Sequence, residues 1–261
     1  MPWSPLATQF CLQLAFGVLV ALAFVPRAPV GVLFYRVMGT AALVPLLAAV
    51  LVPPLVAGAS WGDAPSVLGA LAILGYPVYS GPVRGARWAV ALGLALVGSA
   101  SALVVLLARG ALVEGPLALA MASFSALSTG AVAGSIGLAM VLGHWYLTVP
   151  NLQIRHLQRL NRVTVGCLAA SLVALLGSCL VFGASLGDAQ PPLLGPWGLF
   201  YLGTRIAVGL LLPMLFAWMV SSSLTYKNTR SATGILYAST VLVLIGTAVS
   251  VSLTDSYGVP L

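Results

Sequence analysis

The chain alternates between long apolar runs and short polar breaks from one end to the other. About 20 apolar residues cross the hydrocarbon core of a bilayer as a helix. When the chain is cut at its charged and Pro/Gly/Asn-rich breaks, eight apolar runs remain. They are approximately 6–25, 30–52, 64–80, 89–107, 117–142, 163–182, 199–219 and 232–253.

Helices are the only regular structure that fits runs of this length. Backbone groups in hydrocarbon must bond to one another, and a β-barrel would need alternating segments of about 10 residues, which are absent from the sequence. The pattern therefore predicts an all-α fold, a polytopic transmembrane bundle of about eight helices in a single membrane domain. The third run is short and contains Pro77, so a re-entrant or kinked segment is the alternative there.

Composition supports this prediction. Hydrophobic residues make up 61% of the chain and charged residues 6%, whereas soluble domains carry about 25% charged residues. Intrinsic disorder is also excluded, because it requires low hydrophobicity and high charge.

The few charges separate by side when the predicted loops are assigned alternately to the two membrane surfaces. The side reached after odd-numbered helices carries eight bases and no acid, namely Arg27, Arg84, Arg87, Arg155, Arg159, Arg162, Lys227 and Arg230. The other side carries all the acids, Asp63, Glu114, Asp188 and Asp255, with Arg109 as its one base. By the positive-inside rule, we expect both termini to face away from the cytoplasm in a multi-pass protein of the cell inner membrane.

The first base, Arg27, follows the first apolar run. A secretory signal peptide has the opposite polarity, so we expect the first helix to be retained.

Acidic residues are absent from every predicted span. Proton pumps and di-metal membrane enzymes place carboxylates within the bilayer, so carboxylate-driven proton coupling is not expected.

Two arginines do fall within spans. Arg36 lies near the inner end of the second helix, where its side chain could snorkel to the surface. Arg205 in the seventh helix either snorkels or needs a partner: a backbone carbonyl, an acid of another subunit, a lipid phosphate or a haem propionate.

The segment 143–162 is the most informative stretch at the inner surface. The fifth helix should end by Val149, before Pro150, and a short amphipathic helix should then lie at the interface or lead into the sixth helix.

The candidate cofactor-binding residues are His144, Trp145, Tyr146, Arg155, His156, Arg159, Arg205 and Arg230. They could bind a quinone head group, haem b or a phosphate-bearing lipid. The alternative is a helix-end histidine and a set of positive-inside arginines that bind anionic lipid.

Three functions are compatible with these patterns. The first is an integral subunit of a larger electron-transfer complex of respiratory or photosynthetic type, with other integral membrane subunits and membrane lipids as partners. Anionic lipid is expected at the cytoplasmic face, and nucleic acid is not expected as a partner. The second is a transporter or channel for a small neutral or anionic solute. The third is an intramembrane lipid-modifying enzyme with His144 as its base.

Overall fold

A computed structural model describes residues 3–25, 30–110, 115–149, 152–183, 186 and 192–257. Helices occupy nearly all of these residues, and none of them lies in a strand. The loop charges Arg27, Glu114 and Asp188 lie outside the described residues. The all-α helical bundle predicted from the apolar runs is confirmed.

Each of the eight predicted runs corresponds to a helix. In chain order the helices are α1 Trp3–Ala23, α2 Val32–Ala57, α3 Ala64–Tyr79, α4 Ala86–Arg109, α5 Pro116–Thr148, α6 Arg155–Val181, α7 Pro196–Thr225 and α8 Thr229–Tyr257. Among the described residues, seven helices are long and apolar enough to cross a membrane, and α3 is shorter.

Although α3 is short, it runs along the bundle beside α2 and α4. It is interrupted at Gly75, which separates Ala64–Leu74 from Tyr76–Tyr79. Its first turn lies near the end of α4, where Asp63 and Arg109 are 3.8 Å apart. Its last turn contacts α2 at Thr40, the ninth residue of that helix, which shares a hydrogen bond of 2.9 Å with Tyr76. The segment therefore runs antiparallel to both neighbours, and its interruption at Gly75 fits the kinked alternative.

The two ends of the bundle differ in charge. One end, called here the acidic end, brings together Pro5 of α1, Asp63, Arg109 and Asp255 of α8. The start of α1 and the end of α8 thus lie at the same end, as an even number of passes requires. The opposite, arginine-rich end carries Arg84, Arg87, Arg155, Arg159, Arg162, Lys227 and Arg230 in the loops and first turns between helices.

A close backbone contact fixes α1 against α5, which is the most buried of the long helices. Gly130 and Gly134 of α5 face Gln13 and Gly17 of α1, and a Cβ atom on Gly134 would collide with the backbone of Gly17. This is the close approach that a GxxxG pair allows between membrane helices. Gly130 and Gly134 of α5 therefore act in packing against α1.

A Gly134→Ala variant tests this contact against a matched control. We expect it to lower the free energy of unfolding by about 1–3 kcal/mol, the usual cost of overpacking. Gly137→Ala lies one turn further on in open space and should not be destabilising. Thermal unfolding of both variants in detergent measures the difference, and equal stability would contradict the packing assignment.

Surface labelling tests the predicted orientation. In a background without Cys11, Cys167 and Cys179, single cysteines replace exposed Ser60 at the acidic end or exposed Tyr226 at the arginine-rich end. A membrane-impermeant maleimide applied to intact cells should label position 60 and leave position 226 unlabelled until the cells are lysed. The reverse pattern would contradict the positive-inside orientation.

Candidate functional site

The most unusual side chain in the interior is Arg205. It lies nine residues into α7, about 13 Å along the helix from Pro196, and it is 2% exposed. A side chain this buried does not reach the membrane surface, so the snorkelling alternative does not hold. Arg36 differs, because its side chain is exposed on α2.

Four helices meet at the Arg205 guanidinium group. Nη2 donates hydrogen bonds to Thr129 Oγ1 of α5 at 2.7 Å and to Ser171 Oγ of α6 at 2.8 Å. Nη1 donates to the backbone carbonyl of Gly246 in α8 at 3.5 Å. The two hydroxyl oxygens lie 3.2 Å apart, so they also bond to each other. We call Arg205, Thr129, Ser171 and Gly246 the arginine cluster.

Local helix geometry brings α8 close enough to contribute its carbonyl. Two residues after Arg205, a π-helical segment begins and spans Ala207–Leu211, a feature often found at functional sites. Gly209 in this segment faces Gly246, and a Cβ atom on either glycine would collide with the other's backbone. The absence of both side chains therefore allows α7 and α8 to meet beside the guanidinium group.

The charge of Arg205 has no acidic partner among the described residues. The described acids, Asp63 and Asp255, lie at the acidic end, and Asp255 is nine residues, about 13 Å, beyond Gly246 along α8. Every partner of the guanidinium in the arginine cluster is neutral. In addition, Nε is buried and makes no hydrogen bond in the described structure. The interior thus holds a cation with an unused donor, which is costly in a medium of low polarity.

Buried hydroxyl groups extend from the arginine cluster in both directions. On α6, Thr164, Ser171 and Ser178 recur every seven residues and face the interior. Facing helices add Ser125, Ser128 and Ser135 of α5 and Ser239, Thr247 and Ser250 of α8. Ser178 Oγ, two turns toward the acidic end from Ser171, is buried without a partner among the described residues. We call this set the hydroxyl row.

Trp145 and Tyr146, the aromatic candidates at the arginine-rich end, each form a hydrogen bond to another segment of the chain. Trp145 Nε1 donates to the carbonyl of Val30 at 3.2 Å, and its ring packs edge-on against Phe34 at 5.6 Å. The Tyr146 hydroxyl donates to the carbonyl of Gln153, which ties the end of α5 to the start of α6. Both polar groups are therefore already used within the protein.

The two histidines lie in different environments at this end. His144 is exposed on the last turns of α5. His156 is buried in the first turn of α6, and its Nε2 atom has no hydrogen-bond partner among the described residues. The predicted amphipathic segment is continuous with α6, which begins at Arg155, so the alternative in which it leads into the sixth helix is correct. Pro150 and Asn151, just before it, lie outside the described residues.

The remaining candidate arginines are exposed at the same end. Arg155, Arg159 and Arg230 lie on the surface of α6 and α8. The Arg159 guanidinium carbon is 5.8 Å from the centre of the Phe24 ring, within cation–π range. Arg205 is separated from these residues, because its cluster lies deep within the bundle. The candidates from the sequence therefore belong to two places, an interior cluster and an arginine-rich surface.

Sequence reasoning identified Arg205 and named a backbone carbonyl among its possible partners, and Gly246 supplies one. The hydroxyl partners Thr129 and Ser171 were not singled out. The seven-residue spacing of Thr164, Ser171 and Ser178 was the available signal, since it places three hydroxyl groups on one helix face.

Comparison with protein-family models, curated proteins and solved structures found no match for this chain.

A double-mutant cycle tests whether Ser171 acts through Arg205. In the wild-type chain, Ser171→Ala should cost about 1.5–3 kcal/mol of unfolding free energy, the range for a hydrogen bond to a charged group. In an Arg205→Met background the same change should cost less than about 1 kcal/mol, because the charge is gone. Ser178→Ala, which removes an unpartnered hydroxyl, is the control. Equal costs of Ser171→Ala in both backgrounds would show that the two residues are not coupled.

Proposed function

We propose that this integral membrane protein transports a small anionic solute and that Arg205 binds the anion within the bundle. The observation that carries the proposal is a guanidinium group that is 2% exposed, is held by neutral groups and has an unused Nε donor. A charged side chain inside a membrane domain commonly marks a solute or ion pathway.

Burial limits what can balance the charge. A lipid phosphate and an acid of another subunit both approach from outside the chain, where Arg205 is not accessible. The four acids of the chain all lie in loops or at helix ends in the sequence. We therefore assign the balancing charge to an anion small enough to pass between the closely packed helices.

The hydroxyl row supports a route for such an anion. Several of its members, such as Thr247 and Ser135, use their protons on carbonyls of their own helix. Ser178 keeps its hydroxyl free between Arg205 and the acidic end. Ser178 Oγ and Arg205 Nε are thus two buried donors that the described structure leaves unused. The formal net charge of +7 adds a long-range attraction for anions.

Flux measurements in proteoliposomes test this proposal. Purified wild-type protein should release chloride, nitrate and formate from loaded vesicles faster than protein-free vesicles do, with a preference among the three anions. Arg205→Gln should lower the protein-dependent flux about tenfold or more, the effect of losing about 1.4 kcal/mol or more of anion binding. Ser178→Ala should lower it less.

The control is Arg36→Gln, which removes an exposed arginine from α2 and should leave the flux unchanged. Size-exclusion profiles and unfolding temperatures confirm that each variant is folded. Equal flux in the wild type and in a folded Arg205→Gln variant would contradict the assignment of Arg205. The absence of protein-dependent flux for all three anions would contradict anion transport.

A second candidate is an integral subunit of an electron-transfer complex in the inner membrane. The observation in its favour is the buried, unpartnered Nε2 of His156 below the surface that carries Arg155 and Arg159. A quinone carbonyl or the iron of haem b could use that nitrogen, and anionic lipid could bind the arginines.

An optical spectrum tests this second candidate. A reduced-minus-oxidised spectrum of protein purified from its native membrane, recorded with the copurifying polypeptides identified, should show a haem band or a redox partner. Colourless protein that purifies without partners or quinone would exclude the electron-transfer role.

A further inference from the structure

An apolar groove runs along the outside of the bundle between α3 and α4. Its volume is about 720 Å³, and its lining residues are Leu, Val, Ala and Gly except for Arg87 and Ser101. The groove forms because Gly98 of α4 lies against the backbone of Leu68, which draws the two helices together at depth. Around this contact, large side chains such as Leu74 and Leu94 project outward as walls.

The groove is long. Along α4 it extends from Arg87 to Ser101, which is about 21 Å at the helical rise per residue. Its lining is almost entirely aliphatic, so an extended hydrocarbon chain can lie along its whole length.

The groove has a charge at one end only. Arg87 lines it at the arginine-rich end, and the neighbouring Arg84 is also exposed there. The described acids, Asp63 and Asp255, lie at the opposite end of the bundle. Basic pockets between membrane helices bind the head groups of anionic lipids. A neutral quinone head would gain little from this cation.

We propose that this groove is a binding site for an anionic phospholipid, with one acyl chain along α3 and α4 and the phosphate on Arg87. The site is independent of the arginine cluster, which lies in another part of the bundle. It differs from general annular lipid contact because retention depends on one charge and one groove.

Lipid retention tests the site. Protein is equilibrated in mixed phosphatidylglycerol and phosphatidylcholine micelles and analysed by native mass spectrometry. The wild type should retain phosphatidylglycerol in preference to phosphatidylcholine. Arg87→Gln should lower that preference about fivefold, equivalent to the ~1 kcal/mol that one basic residue contributes near an anionic membrane surface. Leu94→Trp, which fills the groove, should lower retention of both lipids.

Two variants serve as controls. Arg36→Gln removes an exposed arginine that does not line the groove, and Val44→Trp adds the same bulk on the exposed face of α2. Both should retain lipid as the wild type does. The proposal is overturned if Arg87→Gln retains lipid as Arg36→Gln does, or if Leu94→Trp retains lipid as Val44→Trp does. Retention of a quinone or a second protein copy in place of the lipid would also overturn it.

Discussion

Polar groups inside a bilayer must find their partners within the protein, because the hydrocarbon core supplies none. This constraint accounts for the helical form of every apolar run and for the hydroxyl groups that bond back to carbonyls of their own helices. It is met least well at Arg205. There a full charge is stabilised by two hydroxyls and one carbonyl from three other helices, and one of its donors is unused.

The arginine cluster connects packing with the proposed function. The polar contacts of Arg205 bring α5, α6 and α8 to α7, and the contact between Gly209 and Gly246 permits the approach of α8. An interior that served packing only would be expected to use apolar side chains here, since these cost no desolvation. Under the proposed function, the ligand of this cluster supplies the missing negative charge. The exposed arginines at the arginine-rich end do not lack a balancing charge in this way, because water and lipid head groups solvate them.

The sequence predicted much of the fold because hydropathy and charge vary over the length of a helix. Eight runs, the end of α5 before Pro150 and the charge difference between the two ends all follow from that variation. The predicted helix limits were less accurate where the end of a helix carries charged residues. The start of α6 at Arg155 lies eight residues before the apolar run at Val163, because helices continue through interfacial residues that interrupt a hydropathy pattern.

The site was less predictable than the fold. Arg205 stood out as a charge in an apolar run, but whether it snorkels depends on the rotation of α7, which the sequence leaves open. Its side-chain partners are a threonine and a serine, residue types that are common in membrane helix packing, and they lie 76 and 34 residues away in the chain. Likewise, Trp145 bonds to Val30, 115 residues earlier, so its role could not be read from its neighbours.

The central claim is that Arg205 holds a small anion inside the bundle. Anomalous diffraction from crystals grown with bromide in place of chloride tests it most directly, because it locates the ion without reference to flux. The account predicts an anomalous peak within hydrogen-bonding distance of the Arg205 guanidinium group that disappears in Arg205→Gln crystals. A well-ordered Arg205 with no anomalous peak beside it would contradict the account.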